Sequence, residues 1–169
     1  GSQMTFDIRS HTISIEQNNP ISDFMQPPKR VNNALLNHEI SQSIKLRLRS
    51  DAPIAIPVSG GVDSSYIASV ARLSSSSIPI SFYTGVTQSG NDLEYSRALA
   101  EYLDIDLVEV DIPENIDLIK YAKEMTLMYD IPVLLLGNSI AMNMLYGAIS
   151  RDGNKVVLDG TGGDEIFGG

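Results

Sequence analysis

Apolar residues in this chain recur with two periods, and the switches between them divide it into alternating strands and helices. Residues 5–16, TFDIRSHTISIE, alternate apolar and polar through Phe6, Ile8, Ile13 and Ile15, which predicts two short strands around a Ser-His turn. Residues 18–28 read as a loop. Over residues 31–49 the spacing of Leu35, Leu36, Ile40, Ile44 and Leu48 predicts an amphipathic helix, with basic residues in its last turn to complement the helix dipole. It leads straight into an apolar run, residues 52–58, the first expected core strand.

Beyond that strand, residues 64–73 are helical in pattern, 74–77 form a linker and 79–84 a second strand. Asn91 is placed to cap the next helix, with Glu94 reaching back three residues later and Leu93, Leu99, Tyr102 and Leu103 on the inner face. A third strand is expected at 107–110, a helix from about Asn115 to Tyr129, an uncharged helix after Pro132 and a fourth strand at 155–158. Short strands that are apolar on both faces and alternate with helices predict an α/β fold, a parallel twisted sheet covered on both sides. Ligands in such sheets bind beyond the strand C-termini. The Gly-rich segments at 59–61 and 160–163 both follow apolar strands, so both are expected at that edge.

At 169 residues the chain is long enough for one domain with a core and too short for two ordinary ones. Residues 1–30 are read as a strand pair and linker behind a Gly-Ser-Gln-Met start that looks like a cloning remnant, and 31–169 as the domain. A net charge of −9 without clustered Lys and Arg disfavours nucleic-acid binding. The absence of cysteine rules out a disulfide, a Cys-based zinc site and a cysteine nucleophile, and fits a cytoplasmic protein. Residues 131–150 are uncharged and about as long as a bilayer requires, but Pro132, Gly137, Asn138, Ser139, Asn143 and Gly147 make them too polar and broken to span it. A buried helix is expected there instead, and no membrane association.

The chemistry concentrates in two loops. Residues 57–65 read Pro-Val-Ser-Gly-Gly-Val-Asp-Ser-Ser. Two adjacent glycines let the backbone bring its N–H groups close to an anion, Ser59, Ser64 and Ser65 add hydroxyl donors, and a helix starting near Asp63 adds unpaired N–H groups. No lysine is present, unlike a GxxxxGK[ST] loop, which argues against a P-loop kinase or GTPase. The second loop, Asp159-Gly-Thr-Gly-Gly-Asp-Glu-Ile-Phe-Gly-Gly169, brings Asp164 and Glu165 directly behind three glycines and a threonine. Facing each other, the loops would assemble Asp63 and Asp164 as two oxygen donors for a hard cation.

The first loop resembles the SGGxDS loop of ATP pyrophosphatases. Together, SGGVDSS and GTGGDEIFGG are similar to the paired signatures of the asparagine synthetase family. Ser81-Phe-Tyr-Thr-Gly85, Glu94-Tyr-Ser-Arg-Ala98 and Tyr129-Asp130 stand where that family has its second strand, its next helix and a tyrosine-aspartate pair. The resemblance covers about 31–169 and implies an adenine nucleotide alpha hydrolase-like fold, incomplete at its C-terminus. It implies ATP bound by Pro57, Val58, Ser59, Gly60, Gly61, Asp63, Ser64, Ser65, Thr84 and Gly160, with Mg2+ on Asp63 and Asp164. Asp63, Asp164, Glu165 and Thr161 form the expected catalytic set, and Asp130 is a further substrate contact. The implied reaction adenylates a small carboxylate, aspartate first among the options, releases pyrophosphate and forms an amide with ammonia or an amine. A homodimer is one option for the assembly.

Three departures from the family pattern qualify what is implied. Thr161 stands where asparagine synthetases carry a glutamate, which makes adenylation a firmer expectation than asparagine formation and keeps a relative acting on a peptide, a sugar acid or a lactam precursor in play. The family's N-terminal glutaminase begins with a catalytic cysteine, and this chain has none, so ammonia is expected free or from elsewhere. The family's synthetase domain also continues well beyond the position of Gly169, so weak nucleotide binding and slow turnover are expected of these residues alone. GMP, NAD or tRNA-thiolating enzymes fit the DEIFGG ending less well, and a nucleotide-binding relic fits the retained Asp63 and Asp164 less well. His11 and His38 lie far from both loops, and Met125, Met128, Met142 and Met144 read as core filling.

Overall fold

The computed structural model describes residues 2–17, 32–74, 79–88, 90, 92–130 and 137–167. It divides into two units, Gly1–Asn37 and His38–Gly169. In the first, β1 (Ser2–Asp7) pairs antiparallel with β2 (Thr12–Gln17), setting Met4 opposite Ile15 and Phe6 opposite Ile13. The Asp7 carboxylate closes the turn by accepting from the N–H groups of Arg9 and Ser10 at 2.8 and 3.1 Å. Two strands around a turn are observed here, with β1 beginning at Ser2. Every residue of both strands is exposed. The expected loop at 18–28 lies outside the described residues.

Helix α1 (Asn33–Arg47) is capped by Asn32, whose side chain accepts from the N–H groups of Ala34 and Leu35 at 3.0 and 3.2 Å. Its apolar stripe enters the core through Ile40, Ile44 and, just past the helix, Leu48. Leu35, predicted on that stripe, is exposed.

The second unit is built on a parallel sheet in the order β5-β4-β3-β6, made of β3 (Ile54–Pro57), β4 (Ile80–Val86), β5 (Leu107–Asp111) and β6 (Val156–Val157). Every residue of β3 is buried, and alternation along it sends successive side chains to opposite faces. Ile54 and Ile56 pack with Ala68 and Ala71 of α2 (Val62–Leu73) and with Leu99 and Leu103 of α3 (Asp92–Leu103). Ala55 packs with Leu145 and Ile149 of α5 (Gly137–Arg151) on the other face. The predicted fold class, a parallel sheet with helices on both sides, is the one observed.

Several elements differ from expectation in extent. α2 begins at Val62, β4 runs on to Val86, and α4 (Leu118–Tyr129) starts later than predicted because Asp117 caps it, accepting from the N–H groups of Ile119 and Lys120. The proposed capping residue Asn91 and the segment 131–136 around Pro132 lie outside the described residues. Tyr102, predicted on the inner face of α3, is 84% exposed, whereas Ser96 and Ala100 are buried. α3 crosses the turn at Gly60 so closely that small side chains are what fit beneath it. As an edge strand, β5 leaves Val108 and Glu109 exposed, so it is not apolar on both faces. Among the described residues no helix is long and apolar enough to cross a membrane.

Candidate functional site

In the strand order, β3 is first in the chain yet lies between β4 and β6, so chain connections leave it in opposite directions. A crevice opens at such a reversal, beyond the strand C-termini. The backbone continues the ladder into both loops: the Val58 N–H donates to the Tyr83 carbonyl at 2.7 Å and the Leu158 N–H to the Ala55 carbonyl at 3.0 Å. The two Gly-rich loops therefore leave adjacent strands side by side, as expected.

The first loop turns at Gly60, whose φ is +75°; a Cβ there would overlap Tyr95 Cβ and sit 3.0 Å from the Tyr95 carbonyl carbon. Both the left-handed backbone and the close approach of α3 require glycine. Ser64 then folds the loop onto the helix start, its hydroxyl donating to the Gly61 carbonyl at 3.2 Å and accepting from the Ser59 N–H at 3.2 Å. Gly61 caps α2 without a side-chain acceptor, and the first helical bond runs from the Ser65 N–H to the Gly61 carbonyl at 3.0 Å. The leading N–H groups of α2 and its partial positive charge are thereby aimed out of the sheet edge.

A buried hydroxyl pair supports this loop from below. Thr84 of β4 donates to Ser96 of α3 at 3.2 Å, and Ser96 donates to the Val58 carbonyl at 3.0 Å. Both side chains are almost fully enclosed.

The second loop packs directly on Asp63. A Cβ at Gly160 would come within 2.9 Å of Asp63 Cβ, and one at Gly163 would fall on the Asp63 carboxylate. The loop closes on itself through the Gly163 N–H, which donates to the Gly160 carbonyl at 3.1 Å, and Gly162 takes φ +98°. It runs into the short α6 (Gly163–Phe167), with Asp164 and Glu165 in its first turn. Asp159 anchors it: one carboxylate oxygen accepts from the Thr161 N–H at 3.0 Å and the other from the Tyr146 hydroxyl of α5. Burial pushes Asp159 up, but these bonds outweigh it and hold the carboxyl below its ordinary 3.8. Burial, then the bond to Asp159, pushes the Tyr146 phenol well above its ordinary 10.0.

Between the loops lies a cleft of about 800 Å³. Pro57, Val58, Ser59, Gly61, Asp63 and Ser64 line it from the first loop, Thr84 from β4, and Gly160, Thr161 and Asp164 from the second. Among the predicted site residues, Gly60 is turned under Tyr95, Ser65 belongs to the first turn of α2, and Glu165 is exposed on α6; none of them is in the lining. Asp130 ends α4 in the left-handed conformation with φ +55° and is not in the lining either. Sequence reasoning missed Asp159, Asp92, Ile112 and the α5 wall of Ala141, Met142 and Leu145. An acidic residue at a strand end, just before the glycines, was a readable signal for Asp159. The α5 wall carried none.

The described lining holds four carboxylates, Asp63, Asp92, Asp159 and Asp164, and no Lys, Arg or His. A polyphosphate entering it alone would meet repulsion, whereas one carrying a divalent cation would find oxygen ligands. Asp159 has both oxygens engaged in hydrogen bonds. No group of three or more His, Cys, Asp or Glu suited to hold a metal occurs among the described residues.

Comparison with known proteins adds family and fold. The family described as asparagine synthase matches residues 35–169. The chain is 33% identical over 135 residues to the glutamine-hydrolyzing putative asparagine synthetase 1 of Methanocaldococcus jannaschii, covering 79% of this chain and 24% of that protein. It is 29% identical over 177 residues to amidase chry2 of Gibberella zeae, covering 91% of this chain and 26% of that protein. It thus spans about a quarter of the length of these relatives. Among solved structures, the NH3-dependent NAD synthetase of Campylobacter jejuni aligns with a TM-score of 0.52 at 19% identity, over 80% of this chain and 59% of that one. The glutamine-dependent NAD+ synthetase of Acinetobacter baumannii, solved with ADP, aligns with a TM-score of 0.54 at 14% identity, over 98% of this chain and 31% of that one. These two likenesses establish a shared fold.

Proposed function

The chain belongs to the asparagine synthase family, and on that premise we propose that its cleft binds ATP with magnesium as part of a ligase that activates a carboxylate and converts it to an amide. One observation carries this reading: two Gly-rich loops leave adjacent parallel strands at the sheet's reversal point and close on a single carboxylate, Asp63. That arrangement suits a polyphosphate bridged to protein by a cation.

In this reading Ser59, Ser64 and the leading N–H groups of α2 hold the β and γ phosphates, while Pro57, Val58 and Thr84 lie against the adenosine. Asp63 and Asp164 would hold magnesium, which when bound would supply charge neutralisation at the phosphate oxygens. The substrate carboxylate attacks the α-phosphorus, the bond to the bridging oxygen breaks, and pyrophosphate leaves with the electron pair. An amine or ammonia then attacks the acyl carbon, AMP departs, and the amine proton passes to a base. The chain's contribution is alignment and charge stabilisation, and no protein nucleophile is needed.

Thr161 favours a second reading of the acceptor. It lines the cleft with a hydroxyl, which cannot take up a proton as the carboxylate of asparagine synthetases would. The test is pyrophosphate release from ATP and magnesium by the full-length protein across a panel of carboxylic acids. Release dependent on aspartate with asparagine formed supports the first acceptor; release only with another acid supports the second. Asp63→Asn is expected to slow release about a hundredfold. Formation of ADP and phosphate instead of AMP and pyrophosphate would overturn the reaction class, and full activity in Asp63→Asn would remove the metal assignment.

A further inference from the structure

Of the four carboxylates in the described cleft lining, Asp159 is the one whose two oxygens are both spoken for. One accepts from the Tyr146 hydroxyl, anchored on α5; the other accepts from the Thr161 N–H in the loop. The residue that follows, Gly160, abuts the side chain of Asp63, and Gly163 lies against its carboxylate while donating its N–H back to Gly160. A continuous set of contacts therefore runs from α5 through Asp159 and the loop to Asp63.

Among the described residues, the elements flanking the loop are short. The strand before it is two residues long, the helix after it has five residues and no buried one, and a Cβ added at Gly162 would meet nothing within 4 Å. Tyr146 packs against the cluster of Ala55, Tyr83, Leu145 and Ile149, which gives the anchor a rigid base.

We propose that Asp159 and Tyr146 are positioning residues that fix loop 160–163 against Asp63, and so set the spacing of Asp63 and Asp164 for a magnesium–nucleotide complex. The metal half of this inference rests on the ATP reading above; the half that concerns loop order does not. Asp159→Asn keeps the shape and can still accept from the Thr161 N–H through its one oxygen, but its NH2 group can only donate to the Tyr146 oxygen, so the bond from Tyr146 to a carboxylate is replaced by a weaker neutral one of reversed direction. Tyr146→Phe removes one donor and leaves the Thr161 bond in place.

Two measurements on the full-length protein test this: ATP affinity by calorimetry with and without magnesium, and amide hydrogen exchange over residues 160–163. In Asp159→Asn, affinity for ATP with magnesium is expected to fall roughly tenfold or more, affinity without magnesium to change less than about twofold, and loop exchange to quicken; Tyr146→Phe should show the same pattern more weakly. Equal losses with and without magnesium, or wild-type values for both, would overturn the metal half. If the wild-type protein binds no ATP in either condition, the functional reading fails and takes the metal half with it. The positioning role is then decided by exchange: unchanged protection of 160–163 in both variants overturns it, and faster exchange there upholds it. Where Asp159→Asn unfolds, Tyr146→Phe decides by the same criteria.

Discussion

Both loops pack around Asp63, yet the first is set between a fully buried strand and a helix of 12 residues, whereas the second, apart from its contact with Asp63, depends on the hydrogen bonds of Asp159. The first leaves a strand buried at every position, enters a helix of 12 residues, and turns beneath Tyr95 where no side chain fits. The second leaves a strand of two residues, enters a helix of five, and hangs on the two bonds of Asp159. Close packing resists deformation on every side, whereas two hydrogen bonds fix a loop only while both partners stay in place. Damage to the first loop should therefore register in the stability of the fold, and damage to the second mainly in the geometry around Asp63.

The largest difference should come from adding the same methyl group to each loop. Gly60→Ala meets the left-handed backbone and Tyr95 together, and is expected to cost about 3 kcal/mol or more. Gly162→Ala meets the backbone cost alone, about 1 kcal/mol, because nothing lies within 4 Å of the added Cβ. Denaturant unfolding of both variants measures the gap. Equal costs would mean that α3 yields at Tyr95 and that packing does not distinguish the loops.

A smaller effect is expected from Ser96→Ala. The change removes the hydroxyl that Ser96 shares between the Val58 carbonyl at 3.0 Å and the Asp92 carbonyl at 2.9 Å, and takes a buried acceptor from the Thr84 hydroxyl. An unsatisfied buried polar group costs about 1–3 kcal/mol, so a loss near 2 is expected in chemical denaturation. Ser96→Cys, similar in size but a weak hydrogen-bonding partner, should recover little of it. A loss below about 0.5 kcal/mol would show that the first loop does not depend on this pair.

The sequence announced the first loop better than the second for the same physical reason. A buried strand and a helix with a strong inner stripe leave periodic apolar signals, and the glycines between them mark a turn. Its lower support was hidden, because Ser96 is polar by composition and buried only by the approach of α3. Tyr102, expected on that face, is exposed instead. For the second loop, the glycines and Asp164 were legible while the anchor was not: Tyr146 and Asp159 are 13 residues apart and meet only when α5 folds back on the sheet. Leu35 failed likewise, since a helical stripe gives the direction of the buried face but not where along the helix the core begins.

The smallest expected effect, in acid, separates the loops by a property the first one's support lacks. Asp159 titrates below its ordinary 3.8 in the folded protein, so its contribution to stability is complete above that value and is lost as pH falls through the depressed folded one. Partial solvent contact screens the carboxylate and keeps the contribution modest. Asn cannot titrate. The stability gap between the wild type and Asp159→Asn should therefore be open at about pH 7 and narrow at about pH 3, when thermal unfolding is followed across that range. The gap for Ser96→Ala should stay constant over the same range, since aliphatic hydroxyls and a backbone carbonyl neither gain nor lose charge there. A gap for Asp159→Asn that also stayed constant would mean that shape and neutral hydrogen bonding hold the second loop, and the two loops would then be secured by the same kind of force.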